Sequence, residues 1–161
     1  MASSARPPLA AAAWAPLLRE ALAREGRFRL SLRGTSMLPT LPVECEIEVA
    51  PLPDPLPERP SERLHLGSVV VFAAGDILVA HRLVRRAGRQ WVMQGDGRRA
   101  PDLPVEPEQV LGVVTAAYQG GRRCWPDRVE PAVRWFWVAR YYLLRPIRFT
   151  WHALRGLRGP S

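Results

Sequence analysis

A chain of 161 residues, 47% of them apolar, is long enough for one domain with extensions and apolar enough to build a core, which excludes wholesale disorder. All 23 basic residues are arginines, so any mechanism that needs a deprotonated lysine as general base is excluded. The formal charge of +8 is uneven: from Arg122 to Ser161 nine arginines face two acids, a net of +7, and such a tail points to an anionic partner.

Taken in chain order, the first predicted element is an amphipathic helix over Leu9–Arg24. The run "LAAAAWAPLL" within it, at roughly ten residues, is too short to span a bilayer. Arg19 and Glu20 stand where a secretory signal avoids charge. "RFRLSLRG" then alternates Arg27, Arg29, Ser31 and Arg33 with Phe28, Leu30 and Leu32, the period of a strand with one buried face. It runs into Gly34, so Ser36 in "GTSMLPT" lies where a strand turns. "ECEIEVAPL" alternates again, with Cys45, Ile47 and Val49 on one face. Residues 51–63, rich in proline and charge, read as an exposed loop.

"GSVVVFAAGDILVAHRLVRR" reads as two strands, Val69–Phe72 and Ile77–Val84, around an "AAGD" turn. "RQWVMQGD" supplies another, and "QVLGVVTAAYQGGRR" a last one that ends at Gly120–Gly121. Short strands divided by turn signals predict a compact, mainly β domain. From Pro131 the chain changes character: arginines interrupt every apolar run among Trp135, Phe136, Trp137, Tyr141, Tyr142, Phe149 and Trp151. This predicts a basic, aromatic helix, opened by Pro131 and broken or kinked at Pro146. Over residues 131–158 such a helix either touches a membrane surface peripherally or packs its aromatics on the β domain. The chain thus divides into an N-terminal helix (1–26), a β domain (27–123) and a helical extension (124–161). Nothing predicts a transmembrane helix, which leaves a cytoplasmic or peripherally membrane-associated location.

Ser36 becomes a nucleophile only if a neighbouring base takes its proton. With lysine absent, histidine is the natural base. His81 sits in the strand "LVAHRLV", on one face with Val79 and Leu83, where a histidine satisfied in the core is the bland alternative. His65 and His152 lie on less fixed segments. In "QGDGRRAPD" two carboxylates, Asp96 and Asp102, bracket a turn, and either could orient an imidazole. The cysteines, Cys45 and Cys124, and the three histidines fit no metal spacing, so no metal and no cofactor is expected.

In order, "GTSMLPTL", "GSVVVF", "AHRLV", "QGDGRRAPD" and "VLGVV" resemble the boxes of type I signal peptidases and their relatives in the signal-peptidase and LexA-like clan, over about Arg27–Val114. The resemblance is to the histidine-base kind. It implies a signal-peptidase-like β fold and a serine endopeptidase that cuts a precursor or leader peptide. Ser36 then matches the nucleophile, His81 the base, Asp96 the aspartate of the "GD" box and Asp102 a second aspartate six residues on. Gly34, Thr35 and Met37 would border the oxyanion and substrate. The chain departs from the pattern at Gly67–Ser68, at "PVEC", at Gly34 where a serine is common, and in carrying no membrane anchor. The competing reading is an inactive peptidase-fold binding module held to a membrane or other partner by its basic tail. No nucleic-acid motif accompanies the arginines, so no specific nucleic acid is expected, and the sequence gives no oligomeric state.

Overall fold

The computed structural model describes residues 11–53, 64–126 and 130–156, with side chains described over 15–53, 64–126 and 130–143. Helix α1 (Ala11–Glu25) is followed by strands β1 (Phe28–Arg33), β2 (Glu44–Ala50), β3 (Val69–Ala74), β4 (Ile77–Ala87) and β5 (Gln90–Gln94). A 3-10 turn at Pro107–Gln109, strands β6 (Val110–Gln119) and β7 (Arg122–Trp125) and helix α2 (Glu130–Gly156) complete the order. The chain is mainly β, with an N-terminal and a C-terminal helix. The proline-rich loop at 51–63 falls largely outside the described residues, as do the first two residues of the helix predicted from Leu9.

All strands join one antiparallel sheet in the order β1-β2-β6-β3-β4-β5, with β7 added on β6. The alternation of β1 and β2 has a direct cause. Leu30 lies opposite Ile47 and Leu32 opposite Cys45 on the covered face. On the wet face, Arg27, Arg29 and Arg33 pair with Glu48, Glu46 and Glu44 at 3.3, 3.9 and 3.4 Å. These exposed pairs fix register more than they stabilise.

β3 does not alternate because both its faces are covered. Val69 and Val71 join one core with Leu18 and Leu22 of α1, Met37, Leu41, Ile47 and Leu111. Val70 and Phe72 join a second core with Leu64, Leu83, Trp91, Met93 and Val105. This is the continuous apolar run expected of a strand buried on two sides. Two differences from the sequence reading stand out. β7 was not foreseen and carries the sheet to Trp125, past the expected boundary at 123. Of the two outcomes expected at Pro146, α2 does not break there but continues to Gly156, a helix of 27 residues outlasting the lost hydrogen bond and ring clash that a proline brings.

Candidate active site

The serine turn is built from below. At Gly34 a φ of 138°, ready for glycine and strained for other residues, swings the chain out of β1, and its N–H donates to the Val43 carbonyl. Met37 and Leu41 are buried in the α1-side core and the Leu41 N–H donates to the Met37 carbonyl, so the turn is pinned by its apolar side chains. Ser36 is left half-buried at the top. Its carbonyl accepts a 2.8 Å hydrogen bond from the Gly97 N–H, while its hydroxyl and N–H have no partner among the described residues.

Gly95 shows how tightly this turn meets the histidine strand. A β-carbon on Gly95 would stand 2.5 Å from the Ser36 carbonyl oxygen and 2.9 Å from His81 Nε2. The serine turn and the imidazole therefore press on the same point, with room there for glycine alone.

His81 is buried on β4, cross-strand from Val70 and with Phe72 6.1 Å from its ring centre. Its Nδ1 lies 2.6 Å from Asp102 Oδ2. Asp102 is positioned by its own backbone, whose N–H donates to the Met93 carbonyl at 2.9 Å. A carboxylate accepts only, so Nδ1 is the donor and a neutral ring then turns its lone pair to Nε2. Nε2 is buried and has no hydrogen-bond partner among the described residues. Ser36, His81 and Asp102 line one cavity of about 620 Å³, whose wall includes Phe72, Leu78 and Val79 and whose rim carries the exposed Ile77 and Leu103.

Asp96 stands elsewhere. Its carboxylate accepts two hydrogen bonds from Arg82, at 2.9 and 2.7 Å, and one from the Thr40 hydroxyl at 2.5 Å. Arg82 is fully buried and also donates to the Gly67 carbonyl and to Glu130 of α2. Glu130 in turn accepts from Trp125 Nε1 at 2.8 Å. Burial alone would pull the Arg82 guanidinium down, but the Asp96 and Glu130 carboxylates outweigh it and hold the group above its ordinary value. Arg140 of α2 adds a hydrogen bond to the Asp96 carbonyl. Of the two aspartates left open by the sequence, Asp102 meets His81, and Asp96 ties the serine turn to the sheet and to α2.

Gly34, Thr35 and Met37 do not line the cavity. Met37 in particular faces the core, because the turn buries it to fix its own base, so a substrate contact through that side chain is withdrawn. Sequence reading gave no role to Arg82, Thr40, Gly95 or Glu130. The available signal was an arginine next to a histidine in the middle of an apolar strand, which demands a buried counter-charge. His65, expected on a loose segment, is held: its Nε2 lies 3.0 Å from Arg134 and its Nδ1 3.0 Å from the Leu66 carbonyl. Arg134 can only donate, so His65 is neutral with its proton on Nδ1. His152 lies outside the described side chains. The cysteines, far apart in sequence, are both free and share the α1-side core, where burial, and secondarily Cys124, pushes the Cys45 thiol up.

The fold and site define an antiparallel β domain that sets a serine turn against a histidine–aspartate pair. Comparison with models of known protein families returns no match, and comparison with curated proteins returns none.

Proposed function

We propose that the protein is a serine endopeptidase, resembling the histidine-base signal peptidases, that hydrolyses a peptide bond of a precursor or leader peptide. The observation that carries this reading is His81, with Nδ1 on Asp102 and a buried, unpartnered Nε2 against the Ser36 turn. A histidine kept for packing would have both nitrogens satisfied, since a buried polar atom without a partner costs about 1–3 kcal/mol. A group that must accept a proton from an incoming hydroxyl needs that nitrogen open.

In the proposed reaction His81 Nε2 takes the Ser36 hydroxyl proton as Oγ bonds to the scissile carbonyl carbon. The Asp102 carboxylate holds the ring and stabilises the imidazolium. The unengaged Ser36 N–H is suited to the oxyanion. Collapse breaks the C–N bond, with the proton passing from His81 to the leaving amine, and water releases the acyl group by the reverse use of the same base. The apolar wall, with Ile77 and Leu103 on its rim, suits an extended peptide with apolar side chains near the cut bond.

The test is digestion of a mixed peptide library by the full chain, read by mass spectrometry, beside the Ser36→Ala and His81→Ala chains. Cleavage by the parent that disappears in both variants, with thermal unfolding retained, is the expected result. Cleavage that persists in Ser36→Ala ends the proposal.

A further inference from the structure

α2 carries a second set of apolar residues, beyond the buried Val138, on the side turned away from the sheet. Ala132, Trp135, Phe136, Ala139, Tyr142 and Leu143 recur at three- and four-residue spacing and are all exposed. Trp135, Phe136, Tyr142 and Leu143 leave 58%, 61%, 44% and 72% of their surface open. The inward side docks by mixed contacts: Val138 is buried and Trp137 half-buried, while Glu130 holds Arg82, Arg134 meets His65, and Arg140 reaches the carbonyls of Asp96 and Arg98. α2 is thus fastened to the domain through one side, by hydrogen bonds, ion pairs and the buried Val138, and its outward aromatic stripe takes no part in that docking.

We propose that this stripe docks the protein on an anionic lipid bilayer, with α2 lying in the headgroup plane. The charge pattern selects this occupant. Glu130 is the one acid within α2, and it is turned inward to Arg82 and Trp125. The sequence of the helix goes on to Arg145, Arg148 and Arg155 and adds no acidic residue, and Arg98 sits exposed beside it. A second copy of the chain would bring together two helices whose sequences each hold five arginines and a single acid, which disfavours self-association. Tryptophan and tyrosine flanked by arginine suit the interface between headgroups and acyl chains. Among the described residues no helix is long and apolar enough to cross a membrane, so the helix lies on the surface. Arg98 lines the serine cavity, and its carbonyl is bonded to Arg140 of α2. The inference is independent of the peptidase reading.

The experiment is flotation of the full chain with vesicles of phosphatidylcholine and with vesicles containing about a third phosphatidylglycerol. The expected result is binding to the anionic vesicles that weakens with salt, and little binding to phosphatidylcholine alone. The quadruple variant Trp135→Ser, Phe136→Ser, Tyr142→Ser and Leu143→Ser should bind at least about tenfold less. Its far-ultraviolet circular dichroism should match the parent, because all four side chains are exposed. No flotation on anionic vesicles, equal binding to both compositions, or undiminished binding by the quadruple variant would overturn the proposal. So would a parent that sediments as a dimer, becomes monomeric in the quadruple variant and never floats, which would assign the stripe to a second copy.

Discussion

Adding one methyl group at Gly95 tests the joint between the serine turn and His81. Gly95 does not have a positive φ, so Gly95→Ala tests space and not backbone strain. The new β-carbon meets the Ser36 carbonyl oxygen at 2.5 Å and His81 Nε2 at 2.9 Å, distances that real β-carbons do not adopt. The closest obstacle is backbone, which cannot rotate aside, so the serine turn must move outward or the β5 end must retreat. Forcing an extra carbon into a packed site costs about 1–3 kcal/mol. For a chain of this size that lowers Tm by roughly 2–12 °C. A displacement of about 1 Å between nucleophile and base is enough to cost around 100-fold in rate. Both readouts are accessible, one from differential scanning calorimetry and one from peptide cleavage. Because the clash is with a carbonyl, Ser36→Ala should leave the drop in Tm unchanged when the two substitutions are combined. A Gly95→Ala chain with the parental Tm and the parental rate would refute this account of how turn and imidazole meet.

Asp102→Asn should preserve the fold, since Asp102 is held by its backbone, but should lower the cleavage rate by about 10⁴ through loss of the correct imidazole tautomer; side-by-side kinetics with the parent check it. Arg82→Leu strands the Asp96 and Glu130 carboxylates in the interior and should destabilise the protein by about 3–5 kcal/mol in urea unfolding, whereas Glu130→Gln, which leaves the Asp96 pair and the Gly67 contact, should cost less. His65 is held below its ordinary value of 6.5, chiefly by burial, with Arg134 acting in the same direction against the Leu66 carbonyl. The unfolded chain therefore binds a proton that the folded chain resists: stability should be full above about pH 6.5 and fall as pH drops from there toward the lower folded value. Tm measured against pH should show this slope, and His65→Gln should flatten it.

The strands were legible because their periods have simple causes. Three arginines ion-paired with three glutamates give β1 and β2 a wet face, and the unbroken "VVVF" of β3 reflects two covered faces. β7 was hidden because "RRCW" offers two charges and no alternation, and only pairing with β6 makes it a strand. At the site, the residue types and their order pointed to Ser36, His81 and a carboxylate. The choice between Asp96 and Asp102 depends on which way each turn residue points, and the five residues between them carry no period from which to read it. Met37 was misread for a related reason: beside a nucleophile, an apolar residue suggests a pocket, yet a short turn needs an apolar root. Arg82 was unassigned because its second partner, Glu130, lies 48 residues away and in another element.

The contact between Glu130 and Arg82 also bears on the order in which the molecule can be completed. Every strand, the serine turn and both aspartates precede Glu130 in the chain, so the sheet can close while one side of its buried guanidinium still lacks a counter-ion. During synthesis, the hydrogen bonds of the buried guanidinium are completed only after the start of the last helix has emerged and docked. The junction after Trp125, where a compact β domain would most naturally be trimmed, is therefore a poor place to cut: the fragment would keep all the reacting groups and lose the acceptor shared by the Arg82 guanidinium and the Trp125 indole.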